Sequence, residues 1–117
     1  MTRFSPLVLC VVLISACSES ISPEEYIKRA DAARASGDLD AAIIDLKHLL
    51  QQSPRHVAAR QRLGEVYLQA YNGPFAVKEF EAALELGADE ATIAPKLAHA
   101  RLVSGRGMCS RSSLRVR

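Results

Sequence analysis

The sequence predicts an all-α protein made of stacked antiparallel helix pairs, an α-solenoid of about two and a half repeats that follows a cleaved N-terminal segment. Alanine and leucine are abundant, aromatic residues are sparse, and segments 34 residues apart resemble each other. Alanine and leucine favour helix over strand. A fixed period of roughly 20–50 residues is typical of repeats that stack because one repeat alone cannot bury its apolar side.

The N-terminal 16 residues have the pattern of a bacterial export signal. The apolar run 7–14 is too short to span a bilayer, which needs roughly 20 residues. Small Ser15 and Ala16 then precede Cys17, in the order typical of a lipoprotein cleavage and lipidation site. We expect a signal peptide at 1–16, a mature chain that begins at lipidated Cys17, and a tether at 17–22. A plain secretory signal and an uncleaved anchor are the alternatives.

The residues around the lipidation site also bear on localisation. Ser18 follows Cys17, where an aspartate favours inner-membrane retention in similar lipoproteins. We therefore expect a cell-envelope protein, lipid-anchored on the periplasmic side and held at the outer membrane. Cys109 is then the one unmodified cysteine of the mature chain, which excludes an internal disulfide. We expect no function for this thiol.

Local signals define the first helix pair. Ser22 and Glu25 form a capping box, in which Ser22 caps the first helix. Gly37 suits the turn, Asp38 can cap the second helix, and Ser53-Pro54 ends it, because the residue before proline is pushed out of helical geometry. These signals predict helices at about 23–35 and 39–52.

Similar signals recur one period later. Asn72-Gly73 suits a turn, and Pro74 opens the fourth helix, which ends near Gly87. These signals predict helices at about 55–70 and 74–87. Thr92 is preferred over Asp89 as the cap of a fifth helix, since that choice keeps a proline at position 95 in the first turn.

The third repeat is incomplete. Leu97, Ala98 and Leu102 continue the pattern, and Gly105 falls where a turn is expected. Residues 105–117 have no helical apolar period, so we expect a disordered basic tail there. Either the fifth helix caps the array, or the chain is a truncated or frame-shifted product of a longer solenoid. The abrupt stop at a turn favours the second account.

Small and large residues recur at matching positions in the two complete periods. At a spacing of 34, Ala30 matches Gly64, Ala42 matches Ala76 and Leu46 matches Phe80. Small residues let the helices of a pair approach closely, and large ones fill the space between pairs. With Pro54 near the end of the first period, this pattern resembles the tetratricopeptide repeat. The resemblance covers residues 23–104, with repeats at about 23–56, 57–90 and a partial one at 91–104.

The resemblance implies a function in protein binding. In tetratricopeptide proteins the first helix of each pair lines a concave groove that holds a protein or peptide segment. Carried across by repeat position, the groove residues are Glu24, Ile27, Asp31, Arg34, Ala35, Ala58, Gln61, Glu65, Leu68 and Gln69, with His99 and Leu102 from the third repeat. This mixture of acidic and apolar residues suits an extended or helical partner. The lysine and asparagine clamp for C-terminal carboxylates is not part of it, so that role is not expected.

The sequence offers no pattern for catalysis, a metal or a cofactor, and we expect no enzyme activity. His48, His56 and His99 have no acidic partner at metal-ligand spacing and are expected to face solvent. Three glutamates of the fourth helix, Glu79, Glu81 and Glu85, are interpreted as a solvated face. Residues 17–90 carry a net charge of −5, whereas 91–117 hold six basic residues and no acidic one. That segment is interpreted as a solvated end. Because we expect the chain to be exported and the segment has no aromatic residues for stacking, a nucleic-acid partner is not expected.

A closer resemblance joins the lipidation site with the segments 22–26, 37–47 and 84–89. This combination resembles the N-terminus of the tetratricopeptide lipoprotein of exosortase/PEP-CTERM exopolysaccharide systems, whose members are much longer. It implies a membrane-anchored scaffold for exopolysaccharide export or surface-protein sorting. The alternative is an envelope-assembly lipoprotein, similar to those that aid outer-membrane-protein insertion or pilus biogenesis.

Overall fold

The computed structural model describes residues 20–113, and the side chains of residues 20–105. It contains five helices: α1 (Pro23–Ala35), α2 (Leu39–Gln52), α3 (Val57–Gln69), α4 (Gly73–Glu85) and α5 (Glu90–Ser113). The all-α prediction is confirmed over this range. The predicted signal peptide and Cys17 lie outside the described residues. Of the helices described, none combines the length and the apolar character that a membrane span requires.

The caps predicted for the first pair are present. Ser22 Oγ accepts a hydrogen bond from the Glu25 N–H at 3.2 Å, and Asp38 Oδ1 accepts one from the Ala41 N–H at 3.0 Å. Each satisfies a backbone donor that the first helical turn leaves without a partner. The first two helices therefore begin and end where the sequence predicted.

The third helix starts two residues later than predicted, and His56 is the reason. Its Nδ1 accepts a hydrogen bond from the Ala59 N–H at 3.2 Å, so the imidazole acts as the N-cap and α3 begins at Val57. The expectation that this histidine faces solvent was wrong, since it is half-buried. His48 and His99 are exposed, as expected.

The prediction that Thr92 caps the fifth helix was also wrong. Asp89 Oδ2 accepts from the Thr92 N–H at 3.1 Å, and α5 begins at Glu90. Hydrogen bonds from the Thr92 hydroxyl and nearby backbone lower the pKa of the Asp89 carboxyl. Pro95 consequently lies inside the helix and gives no N–H to the Ala91 carbonyl. Ala91 is exposed, so water can satisfy that oxygen.

The end of α5 differs from the prediction as well. Gly37 (φ 84°) and Tyr71 (φ 55°) take left-handed conformations at the turns that follow α1 and α3. Gly105 holds the equivalent position one period later, but the helix continues through it to Ser113. A chain turns back when a second helix can pack, and the residues after 105 lack such an apolar side. Continued helix satisfies the backbone groups instead. The expected turn and disordered tail are therefore wrong as far as Ser113.

Small residues are buried in both helices of each complete pair. Ala30, Ala42, Gly64 and Ala76 are all buried, as predicted from their spacing. A Cβ placed on Gly64 would lie 2.7 Å from Cε1 of Phe80, whose side chain is completely buried. This distance is too short for a real contact, so the ring of Phe80 occupies space that glycine alone leaves free.

Each complete pair is also joined by an ion pair. Arg29 of α1 contacts Asp45 of α2 at 3.0 Å, and Arg60 of α3 contacts Glu79 of α4 at 2.8 Å. The two acidic residues are 34 positions apart and both are buried. The interpretation of Glu79 as part of a solvated face was therefore wrong, because Arg60 compensates its charge inside the pair. Glu81 and Glu85 are exposed.

We expect Gly64→Ala to lower the free energy of unfolding by about 1–3 kcal/mol, because the added methyl group overpacks against Phe80. Adding Phe80→Leu should recover part of this loss, since the pair then matches Ala30 and Leu46. Urea unfolding of the two single variants and the double variant measures the coupling.

Gly105→Ala is the matched control, because it is a helical glycine with no atom within 4 Å of an added Cβ. It should stabilise the protein by up to about 1 kcal/mol through helix propensity alone. If Gly64→Ala also stabilised the protein, the close contact with Phe80 would be contradicted.

Candidate partner-binding groove

The first helices of the repeats form one continuous inner face. α3 contacts both α1 and α5, whereas α2 and α4 make no contact with each other within the described residues. Helices on the inside of a curved stack approach their neighbours more closely than helices on the outside. The inner face is therefore made of α1, α3 and α5, the helices expected from the sequence to line the groove.

Ion pairs connect successive first helices across this face. Asp31 of α1 contacts Arg62 of α3 at 3.1 Å, and Glu65 of α3 is paired with Lys96 of α5. The two acidic residues are 34 positions apart, and so are the two basic ones. The inner face thus carries the same acid–base contact between each helix and the next.

Glu65 is the centre of this arrangement, because its two carboxylate oxygens bind different helices. One accepts a hydrogen bond from Nη1 of Arg34 at 2.6 Å, and the other accepts from Lys96 Nζ. Arg34 also donates through Nε to Oε1 of Gln69 at 3.1 Å. The glutamate side chain is only 13% exposed. One carboxylate therefore links α1, α3 and α5.

The surroundings of Glu65 keep it ionised. Partial burial alone would raise the pKa of its carboxyl, but hydrogen bonds and positive charge from Lys96 and Arg34 outweigh that effect and lower the pKa. A carboxyl with a lowered pKa stabilises the folded protein above the pKa of the unfolded chain, and this stabilisation is lost as the pH falls.

A depression of about 550 Å³ lies beside this network. Its lining contains two guanidinium groups, a carboxylate, an amide and a methyl group, from Arg34, Arg62, Asp31, Gln69 and Ala35. The side chains of Asp31 and Arg62 are both about 40% exposed, so they keep polar atoms toward solvent while paired. The site offers hydrogen-bond donors and acceptors in fixed positions.

The predicted groove residues divide into two groups. Asp31, Arg34, Ala35 and Gln69 line the depression, and Glu65 is bonded to Arg34 beside it. Of the others, Ile27 and Leu68 are half-buried and pack against the hydrophobic core, so part of their role is structural. Gln61 is half-buried, and four predicted groove residues, Glu24, Ala58, His99 and Leu102, are exposed. Which of these residues contact a partner stays a prediction.

Sequence reasoning missed two basic residues of the inner face. Arg62 and Lys96 lie at a repeat position that was not counted as part of the groove. They neutralise Asp31 and Glu65, so the face has a balanced charge instead of the acidic character expected. The sequence does contain a sign of these pairs, because the same spacing of 31 residues separates Asp31 from Arg62 and Glu65 from Lys96.

Within the described residues, no group of three or more histidine, cysteine, aspartate or glutamate side chains is arranged to hold a metal ion.

We expect Glu65→Gln to lower the free energy of unfolding by about 1 kcal/mol or more at pH 7, because two charge-assisted contacts are weakened. The difference from the unaltered protein should shrink as the pH falls below the pKa of a glutamate in the unfolded chain, about 4.3, and then through the lowered pKa of the folded carboxyl, because the native side chain then also becomes neutral. Urea unfolding between about pH 7 and pH 3 measures it. The control, Glu85→Gln on the exposed side of α4, should show neither effect; a pH-independent difference for Glu65→Gln would contradict the network.

Comparison with known proteins supports the architecture. No curated protein matches the sequence. A family model described as "Tetratricopeptide repeat" matches residues 33–102, which is more than half of the chain. The matched segment includes α2, α3, α4 and most of the inner face. Proteins with these repeats typically bind other proteins. The chain therefore belongs to the tetratricopeptide repeat family.

Proposed function

We propose that this protein is a binding scaffold whose inner face holds a segment of a partner protein. The observation that carries the proposal is the Glu65 network, which fixes the side chains around the depression before any partner arrives. Ordering a long side chain on binding costs roughly 0.5–1.5 kcal/mol. Because Arg34 is already held by two acceptors, little of that cost remains when a partner binds.

The chemistry of the depression favours a partner segment in extended conformation. Arg34 and Arg62 each have more N–H donors than their ion pairs use, and the exposed amide of Gln69 provides both a donor and an acceptor. A peptide backbone or a side-chain carboxylate can bind these groups. Since acidic and basic residues balance across the face, we expect recognition by specific hydrogen bonds and not by overall charge.

We further propose that the scaffold is tethered to a membrane through lipidated Cys17, in the cell envelope and on the periplasmic side of the outer membrane. The support is the order of residues before Cys17 and the serine that follows it. With the resemblance of the segments 22–26, 37–47 and 84–89, this favours a role in exosortase-linked exopolysaccharide export or surface-protein sorting. The second candidate is envelope assembly, for outer-membrane-protein insertion or pilus biogenesis, which the same anchor and repeats would serve.

Site-specific photo-cross-linking in the native host tests the binding site and the anchor together. A photoreactive residue replaces Ala35 in the depression or, as a matched control, Ala70, an exposed alanine at the end of α3. We expect a defined adduct from position 35 and none from position 70. Cys17→Ser should move the protein out of the membrane fraction, because the thiol that carries the lipid is lost.

The identity of the cross-linked protein separates the two candidates. A component of exopolysaccharide export or surface-protein sorting supports the first, and a component of outer-membrane or pilus assembly supports the second. Equal adducts from both positions would contradict the groove as the binding site. A Cys17→Ser variant that stayed in the membrane fraction would contradict the lipid anchor.

A further inference from the structure

Basic side chains outnumber acidic ones in the network beside the depression. Arg34, Arg62 and Lys96 are paired with the carboxylates of Asp31 and Glu65, so three bases share two acids. The further acidic residue predicted for the inner face lies seven positions before Asp31 on α1, about two helical turns away. The network therefore carries one positive charge that its own acids do not neutralise, although charges balance over the face as a whole.

Arg62 is the base whose pairing is incomplete. Its Nε lies 3.1 Å from Oδ1 of Asp31, which is close enough for an ion pair, but the two atoms do not have hydrogen-bond geometry. This nitrogen is buried and has no acceptor in the part of the chain that the structure describes. A buried N–H without an acceptor is unfavourable. Asp31 therefore satisfies Arg62 only in part.

Arg34 lines the same depression from the neighbouring helix and keeps donors in reserve. It binds Gln69 through Nε and Glu65 through Nη1, which leaves the second N–H of Nη1 and both N–H groups of Nη2 without a role in these contacts. A planar guanidinium group presents its donors in a fixed arrangement that suits a carboxylate. Arg34 and Arg62 together therefore offer donors from two sides of the depression to one added carboxylate.

Asp31 is placed to compete with such a carboxylate. It lies three positions before Arg34 on α1, so both side chains point to the same side of the helix. Its side chain also lines the depression and is 42% exposed. Because an exposed ion pair contributes little to stability, Asp31 can turn toward water at low cost when another anion takes its place on Arg62.

We propose that the depression binds one carboxylate of the partner segment between the guanidinium groups of Arg34 and Arg62, and that Asp31 occupies Arg62 until this carboxylate displaces it. The inference rests on the proposed function and adds to it the chemical class of the group recognised and the residue that opposes its binding. An aspartate or glutamate side chain and a chain end both supply this chemistry, and the experiment separates these two sources.

The test uses three small probes: N-acetylglutamate N-methylamide with a side-chain carboxylate, its neutral glutamine counterpart, and N-acetylalanine with a chain-end carboxylate. Each is titrated at constant ionic strength into the purified, isotope-labelled protein, and the arginine Nε–Hε signals are followed by NMR. We expect the signals of Arg34 and Arg62 to shift with the acidic probes and the glutamine probe to bind about tenfold more weakly. The tighter acidic probe identifies the source of the carboxylate. Arg29, which is paired with Asp45 in the first helix pair, is the internal control.

Protein variants show whether Asp31 opposes binding. Asp31→Asn should tighten binding of the acidic probe about fivefold, because it removes the competing carboxylate and leaves a second positive charge without an acid. Arg62→Gln should weaken binding about tenfold, since one of the two guanidinium groups is lost. Glu85→Gln, on the exposed side of α4, removes the same charge as Asp31→Asn and should leave binding unchanged. The amide spectrum of each variant shows that it is folded.

The proposal is overturned if none of the probes shifts these signals, if the glutamate and glutamine probes bind equally, or if Asp31→Asn binds the acidic probe no more tightly than the unaltered protein. A defined cross-link from position 35 in the native host, together with any of these results, would leave the binding scaffold supported and reject the carboxylate alone. Loss of that cross-link would instead count against the proposed function.

Discussion

The contact between Gly64 and Phe80 sets how closely α3 and α4 approach, and the rest of the structure depends on this kind of contact. A glycine on one helix leaves space that the ring of the other fills completely. In the first pair, alanine and leucine take the same positions. Since tightly packed interiors tolerate neither a void nor an overlap, the size of these two residues fixes the distance between the helices of each pair.

This packing makes α3 the central helix of the molecule. It contacts α1 and α5 on the inner face and α2 and α4 on the outer layer. Glu65 can reach Arg34 and Lys96 only because α1 and α5 are held at matching distances on its two sides. The fixed side chains of the depression are thus a consequence of how the pairs pack. Within the described residues, α5 has no second helix of its own repeat packed against it, and one side of α5 is exposed.

Much of the fold could be predicted from the sequence, because its signals are local or periodic. Ser22 and Asp38 lie directly before the helices they cap, and the small residues recur at a spacing of 34. The start of α5 was missed because the rule that keeps proline in the first turn was outweighed by the hydrogen bonds of Asp89 with Thr92. The continuation of α5 through Gly105 was missed because a glycine signals a turn only when a second helix can pack afterwards.

The site was predicted less completely, for a different reason. The acidic residues of the inner face were found from their repeat positions, but their basic partners Arg62 and Lys96 lie on the next helix and outside the positions used. Glu79 was taken for a surface residue because nothing local to α4 reveals that Arg60 of α3 faces it. Contacts between helices depend on how the helices are rotated and spaced, which a single sequence does not state directly.

Native-state hydrogen exchange tests most directly whether coverage by neighbouring helices determines stability along the chain. Amides of α3 should exchange only when the whole protein unfolds, because this helix is packed on both sides. Their opening free energy should therefore equal the free energy of global unfolding. Amides of residues 97–105 in α5 should exchange through a smaller opening, since α5 is covered on one side only. Equal protection in α3 and α5, or greater protection in α5, would contradict the account.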